Sequence, residues 1–143
     1  MNALRIYPLG SLPTRKAPEQ NFTGYVSISN YFERAAPSRL VSATVTFAPG
    51  ARTPWKVNPL GQTLFVTSGV GWAQSEGEEV VEIRAGDIVW CPPGQRHWDG
   101  ATPEHALTYI AVQEAQDGRA VEFREQVTDE EYRQGPSSAS SRR

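Results

Sequence analysis

Apolar and polar residues alternate along several short segments of the chain, and this pattern predicts β-strands. In LVSATVTF, at residues 40–47, the odd-numbered positions are apolar and the even-numbered positions after Leu40 are polar. Successive side chains on a strand point to opposite faces, so the odd-numbered set would face a core. YVSISNYF at residues 25–32 and HALTYIAVQE at residues 105–114 alternate in a similar way and predict two further strands.

Glycine and proline separate the remaining apolar segments. QTLFVTSGVGWAQ, at residues 62–74, predicts a hairpin broken at Gly69 and Gly71. EEVVEIRAGDIVWCPPG, at residues 78–94, predicts two strands joined by a turn at Ala85–Gly86. No long amphipathic helical pattern occurs in the middle of the chain. Strands this short and this frequent favour a sandwich or a barrel, so the predicted fold class is all-β.

The two ends of the chain differ from this alternating middle. Residues 9–24 are rich in turn formers and predict an irregular N-terminal arm. Thr128 and Glu131 have the spacing of a capping box, which predicts the start of a short helix. The last segment, GPSSASSRR at residues 135–143, is too small and polar to pack, and we expect it to be disordered.

Length and charge narrow the function classes. The 143 residues fit one domain, and a net charge of −2 without a basic block argues against a nucleic-acid partner. No segment has the pattern of a signal peptide or the length of a membrane span, so no membrane partner is expected. The single cysteine, Cys91, has no second cysteine in the chain with which to form a disulfide, and we expect a cytoplasmic location.

Two spaced patterns go beyond a generic all-β prediction. The first is GARTPWKVNPLGQTLFVTSG at residues 50–69, and the second is GDIVWCPPGQRH at residues 86–97. Together they resemble the two signature motifs of the cupin superfamily, over roughly residues 42–113. The resemblance implies a double-stranded β-helix, or jelly-roll, barrel that assembles as a homo-oligomer. We therefore divide the chain into an arm with the first strand (1–30), a cupin barrel (31–127), and a short helix with a tail (128–143).

Within the superfamily, the chain is similar to a subgroup of small single-domain bacterial cupins that includes manganese-dependent hydroxynitrile lyases. In that subgroup a His-x-His pair, a glutamine and a histidine hold a divalent metal inside the barrel. The matching positions here are Lys56, Asn58, Gln62 and His97. The resemblance therefore keeps two of the implied metal ligands and replaces the other two.

This replacement changes the chemistry that the site can perform. A divalent transition metal prefers imidazole, carboxylate or thiolate donors, whereas a protonated lysine has no lone pair and repels a cation. We therefore predict no cofactor and no metal. In the alternative, Gln62 and His97 would hold a divalent Mn, Fe, Ni or Zn ion.

Strand parity predicts which side chains face the interior. Residues two apart on a strand point the same way, so Lys56 and Asn58 should both enter the barrel, and His97 and Asp99 should share a face. Phe32, Trp72 and Trp90 are candidates to close the pocket. The predicted polar pocket residues are Lys56, Asn58, Gln62, His97, Asp99, Tyr109 and Gln113, and the predicted apolar walls are Ala43, Val45, Leu64 and Ala111.

Several of these residues also have a structural interpretation. Lys56 could turn to the mouth of the barrel and be solvated, and Asn58 before a proline is typical of a turn. His97 could be a buried structural histidine, and Asp99 could cap the turn DGAT. Tyr109 and Gln113 face inward only if the strand register is as predicted.

The leading functional hypothesis is an enzyme acting on a small carbonyl-containing or enolisable molecule by lyase, isomerase or cyclase chemistry. Lys56 would be the electrostatic or nucleophilic centre, His97 the general acid or base, and Asp99 a supporting group. Asn58, Gln62, Tyr109 and Gln113 would bind the substrate. The alternatives are a metal-dependent lyase or oxygenase with an atypical site, and a non-catalytic protein that binds a small ligand. An engineered relative with deliberately replaced ligands also remains open.

Overall fold

The computed structural model describes residues 3–137, which fold into ten strands and one short helix. The fold is all-β, and the predicted jelly-roll barrel is confirmed. In chain order the elements are β1 (Arg15–Lys16), β2 (Val26–Glu33), β3 (Leu40–Phe47), β4 (Lys56–Val57), β5 (Gln62–Ser75), β6 (Val81–Arg84), β7 (Ile88–Cys91), β8 (His97–Ala101), β9 (Leu107–Glu114), β10 (Glu122–Phe123) and α1 (Asp129–Arg133).

The strands pair antiparallel in the order β1-β2-β3-β9-β5-β8-β4-β10. Strand β5 belongs to both halves of the barrel: its first part pairs with β9 and β7, and its second part pairs with β8 and β6. β3 follows the predicted segment, and its buried positions include Val41, Val45 and Phe47. β2 crosses the expected boundary after residue 30, so the first segment is part of the same sheet.

The predicted hairpin at residues 62–74 is wrong, because β5 is one continuous strand. Its pairing with β9 shifts register between Val66 and Ser68, and Gly69 follows with a φ of 85°. A Cβ at Gly69 would lie 1.9 Å from the Ala106 carbonyl oxygen, so only glycine fits there. The glycine thus marks a bulge that bends the strand from one half of the barrel into the other.

Two apolar clusters stabilise the barrel. The larger fills its interior and includes Phe47, Leu64 and Leu107, each with no exposed surface. The smaller lies between the barrel and α1. It contains Trp55, Val80, Trp98, Val127 and Tyr132, with Trp72 packed against it.

The ends of the chain are held against the barrel. Helix α1 begins with the predicted capping box, in which Thr128 and Glu131 each bond the other's backbone amide. The N-terminal arm contains β1, which pairs with β2. The predicted disorder covers residues 135–143. Residues 135–137 are described, and Ser137 Oγ donates a hydrogen bond of 2.6 Å to Glu79, whereas residues 138–143 lie outside the described residues. No helix within residues 3–137 is long and apolar enough to cross a membrane.

Candidate active site within the barrel

Lys56 enters the barrel interior, as strand parity predicts. Short strand β4 pairs with β8 so that Lys56 lies opposite His97, and only 3% of Lys56 is exposed. Its Nζ lies 2.9 Å from Asp99 Oδ2 and donates a hydrogen bond of 3.0 Å to Gln62 Oε1. The alternative of a solvated lysine at the mouth does not hold in this structure.

Asp99 is the most enclosed charged group of the site, with no exposed surface. Its Oδ1 accepts a hydrogen bond of 2.5 Å from the Tyr109 hydroxyl, while its Oδ2 forms a close ion pair with Lys56 rather than a well-directed hydrogen bond. Burial and the neighbouring Asp99 carboxylate hold the pKa of Tyr109 well above its usual value. The carboxylate therefore faces Lys56 and Tyr109 instead of capping the DGAT turn.

A chain of amides fixes which atom of Gln62 meets the lysine. The Val41 carbonyl can only accept, and it lies 3.0 Å from Gln113 Nε2. Gln113 therefore turns its Oε1 toward Gln62 Nε2, at 2.9 Å, which leaves Gln62 Oε1 for Lys56. The backbone of β3 thus orients the acceptor that Lys56 uses.

His97 is buried beside this network and is neutral at neutral pH. Burial, and then the positive charge of Lys56, lower its pKa to about 4, against the opposing effects of Asp99 and the Gln95 carbonyl. Its Nδ1 lies 2.9 Å from the Gln95 carbonyl oxygen, which only accepts, so Nδ1 carries the proton. Its Nε2 is then a buried acceptor without a hydrogen-bond partner among the described residues.

Asn58 takes part in a turn, as its structural interpretation proposed. Its carbonyl oxygen accepts hydrogen bonds from the amides of Gly61 and Gly94, both at 3.1 Å. Its side-chain Nδ2 donates to the Ala120 carbonyl at 2.9 Å, and the side chain is completely buried. These contacts join the β4–β5 turn to the residues before β10.

A cavity of about 260 Å³ opens next to Lys56. Seven of the predicted pocket residues line it: Ala43, Val45, Lys56, Gln62, Tyr109, Ala111 and Gln113. Four predicted residues lie outside the lining. Asn58 is in the turn described above, Leu64 is in the closed core, and His97 and Asp99 lie behind Lys56 and Tyr109.

The three aromatic residues expected to close the pocket do not line it. The bulge in β5 shifts the inward set from even-numbered to odd-numbered positions, so Ala73 faces the core and Trp72 packs toward Tyr132. Trp90 is 58% exposed, and Phe32 packs against Tyr7 away from this cavity.

Sequence reasoning missed the part of the lining that comes from the chain ends. Ile28 alternates with Val26 on β2 and could have been found from that pattern. No sequence signal indicated that the arm or the residues around β10 would reach the barrel. The additional lining residues are Arg15, Pro18, Phe22, Ile28, Tyr31, Thr53, Val121 and Phe123.

The donor set does not fit a divalent metal ion. Within the part of the chain that the structure describes, no group of three or more His, Cys, Asp and Glu side chains is arranged to hold one. Gln62 Oε1 already accepts from Lys56, and the ammonium group itself repels a cation. Lys56, Asn58, Gln62 and His97 match the metal-ligand positions of the similar hydroxynitrile lyases. Of these four residues, His97 alone presents a free acceptor of the type that such metals prefer.

Comparison with known proteins gives concordant results. The Cupin domain family matches residues 43–112. An (R)-mandelonitrile lyase from Granulicella tundricola is 52% identical over 130 residues, which cover 91% of this chain and 99% of that protein.

Solved structures show the same architecture. A cupin-like protein from Thermotoga maritima superposes with a TM-score of 0.79 and 34% identity, over 86% of this chain and 93% of that chain. The polyketide cyclase RemF from Streptomyces resistomycificus superposes with a TM-score of 0.68 over 98% of this chain and 100% of that chain. At 13% identity, the second likeness concerns the fold alone.

Proposed function

The chain belongs to the cupin family, and we propose that it is a lyase that cleaves a small α-hydroxynitrile into an aldehyde and hydrogen cyanide. The reaction class is supported by the mandelonitrile lyase that is 52% identical over 91% of this chain. The observation that carries the mechanism is the amino group of Lys56 at the wall of an otherwise mostly apolar cavity. In this proposal Lys56 is the catalytic residue, and no metal takes part.

Lys56 has the hydrogen-bonding capacity that the proposal needs. An ammonium group carries three N–H bonds. One donates to Gln62 Oε1 at 3.0 Å, and Asp99 Oδ2 forms an ion pair with the same Nζ at 2.9 Å. The remaining N–H capacity is available to a ligand in the cavity. A charged donor in a site of low dielectric stabilises developing negative charge far more than it would in water.

The chemical step balances through this one group. The carbon–cyanide bond breaks and its electron pair leaves with cyanide, while the hydroxyl oxygen forms the carbonyl. The Lys56 ammonium gives a proton to the cyanide, and the resulting amine takes the hydroxyl proton. Aldehyde and hydrogen cyanide leave, and the ammonium is restored.

The surrounding residues position Lys56 rather than touch the substrate's reacting atoms. Asp99 pairs with the ammonium group and is itself held by Tyr109, and Gln62 is oriented through Gln113. His97 is neutral at neutral pH, because burial and then the charge of Lys56 lower its pKa to about 4. A direct role of His97 as general acid or base stays a prediction, because its ring lies outside the cavity lining.

The absence of a metal requirement in this mechanism follows from donor chemistry. A lysine ammonium supplies the positive charge that a metal ion would otherwise supply, and it does so at one of the positions where the resembling hydroxynitrile lyases place a ligand. Elemental analysis of the purified protein, before and after treatment with a chelator, tests this part. Stoichiometric Mn, Fe, Ni or Zn that is needed for turnover would contradict it.

The reaction is tested by following benzaldehyde release from each enantiomer of mandelonitrile. We expect cleavage by the wild type and its loss in Lys56→Met. Lys16→Met is the matched control, because Lys16 is the only other lysine of the chain and is exposed. Failure to cleave either enantiomer overturns the proposed substrate class. Ligand binding without turnover of any hydroxynitrile supports the non-catalytic alternative instead.

A further inference from the structure

The cavity is lined by two charged side chains, and both are cationic. Lys56 lies at the buried wall and Arg15 lies on the exposed strand β1, and no carboxylate is among the residues that line the cavity. The positive charge of Lys56 is balanced by Asp99 at 2.9 Å. Arg15 forms no ion pair with any residue of the described range 3–137, so it is the cavity's unbalanced charge.

The carboxylate of Glu33, which accepts a hydrogen bond from a residue of the cavity lining, forms no ion pair with Arg15. Tyr31, which also lines the cavity, donates a hydrogen bond of 2.5 Å to Glu33. That bond is the main reason why the pKa of Tyr31 is raised, and the charge of Arg15 opposes the rise. Arg15 is thus close enough to influence Tyr31 while its guanidinium remains free for a ligand.

We propose that Arg15 binds a carboxylate on the substrate at the cavity mouth, while the substrate's neutral polar group meets Lys56. A guanidinium presents parallel N–H bonds that match the two oxygens of a carboxylate. A full negative charge at the inner end of the cavity would lose its hydration inside the barrel, whereas a carboxylate beside the exposed Arg15 would keep much of it. The mouth is therefore the better position for negative charge.

The body of the ligand is determined by the walls between the two cations. Phe22, Ile28, Val45 and Phe123 line this space and favour an apolar or aromatic body. The substrate class is then a small aromatic or apolar carboxylate whose reacting group lies at the other end of the molecule. This inference rests on the proposed function only for the nature of that reacting group.

Binding of unreactive ligands tests the inference without turnover. The probes are 3- and 4-(hydroxymethyl)benzoate, each compared with the corresponding benzamide, which has the same shape but no charge. Dissociation constants are measured by calorimetry at low salt and at high salt for wild type, Arg15→Gln and Arg39→Gln. Arg39 is an exposed arginine that does not line this cavity, so its variant controls for net charge.

We expect at least one benzoate to bind the wild type about two- to five-fold more tightly than its amide, as for other exposed ion pairs. The preference should disappear in Arg15→Gln, persist in Arg39→Gln and weaken at high salt. Equal affinity for acid and amide, an unchanged preference in Arg15→Gln, or no binding of either probe overturns the inference.

The result of this binding test can be distinguished from the result of the test of the proposed function. An Arg15-dependent preference in a protein that cleaves no hydroxynitrile supports the anion site and rejects the lyase proposal. Cleavage of mandelonitrile without any preference for the carboxylate does the reverse. Arg15 is exposed, so we expect Arg15→Gln to fold normally and its affinities to be directly comparable with those of the wild type.

Discussion

Lys56 and Arg52 lie four residues apart, and both are almost completely buried, with 3% and 4% of their surface exposed. Their surroundings differ. Lys56 faces a cavity and pairs with a completely buried carboxylate, whereas Arg52 faces the C-terminal segment and donates to the Val127 carbonyl oxygen from Nε at 3.3 Å and Nη2 at 2.9 Å.

Arg52 has the contacts of a structural cation. Its guanidinium lies 4.4 Å from the centre of the Tyr132 ring, and its acidic partner Asp129 is 68% exposed. It therefore joins the barrel to the segment around α1. Its guanidinium N–H groups donate mainly to backbone carbonyl oxygens. Burial alone does not distinguish the proposed catalytic cation from a structural one. The difference lies in whether the charge reaches a cavity and whether its partner is shielded from water.

Removing the charge of Lys56 should have the largest effect on both stability and activity. Lys56→Met leaves the Asp99 carboxylate buried without its cation, which should cost about 3–5 kcal/mol of unfolding free energy. Lyase activity should fall at least about 10²-fold, because a preorganised charged donor is lost. Chemical denaturation and benzaldehyde release measure the two effects.

A double variant shows whether breaking the Lys56–Asp99 ion pair causes the loss of stability. Lys56→Met combined with Asp99→Asn removes both charges, so it should regain most of the lost stability without regaining activity. A double variant that is no more stable than Lys56→Met would contradict the ion-pair explanation. Lys16→Met, at an exposed pair, should change stability by less than about 1 kcal/mol.

The pH dependence of stability reports how burial, and then the charge of Lys56, act on His97. The folded pKa of His97 is lowered from 6.5 to about 4, so as pH falls the unfolded chain takes up a proton before the folded chain does. The stabilisation is complete above pH 6.5 and is lost between pH 6.5 and pH 4, with a total of about 3 kcal/mol.

Denaturation at several pH values, for wild type and His97→Gln, isolates this contribution. The difference in unfolding free energy between the two proteins should change by about 3 kcal/mol between pH 7 and pH 4. In Lys56→Met the pKa of His97, followed by NMR, should rise only in part, because burial is the larger cause. A pH-independent difference would show that His97 titrates as it does in the unfolded chain.

Arg52 should matter for stability and little for chemistry. Arg52→Met removes its hydrogen bonds to Val127 and its contact with Tyr132, which should cost about 2–3 kcal/mol. Turnover per folded molecule should be unchanged, because Arg52 does not line the cavity. A selective loss of turnover in a variant of normal stability would mean that the segment around α1 also supports the active site.

The sequence predicted those features that depend on local pattern. Alternation located β3, and the spacing of Thr128 and Glu131 located α1. Strand parity together with the family resemblance placed Lys56 at the cavity, and the resemblance placed Gln62 there. These features hold because side-chain direction on a strand and capping at a helix start are determined by neighbouring residues.

Features that depend on distant contacts were not predictable in this way. The bulge near Gly69 arises where β5 must leave one half of the barrel for the other, and it reversed the expected direction of Trp72. Arg15 and Phe22 reach the cavity because the arm pairs with the edge of β2. Nothing in the residues of the arm specifies that contact, and it is also the origin of the proposed anion site.

The smallest expected effect on stability is that of removing the charge of Asp129, the acidic partner of Arg52. Asp129→Asn removes ion pairs with Arg52 at 2.7 Å and with Arg133 at 3.6 Å, but the carboxylate is 68% exposed and is screened by water. The unfolding free energy should fall by less than about 1 kcal/mol, in contrast to the several kcal/mol expected when the buried pair of Lys56 is broken. Unfolding in urea at low and at high salt measures this difference, because urea is uncharged and, unlike guanidinium chloride, does not screen the ion pair. A loss of stability as large as that of Lys56→Met would contradict this expectation. It would show that Arg52 depends on a charged partner as strongly as Lys56 does, and that the exposure of that partner does not distinguish the two cations.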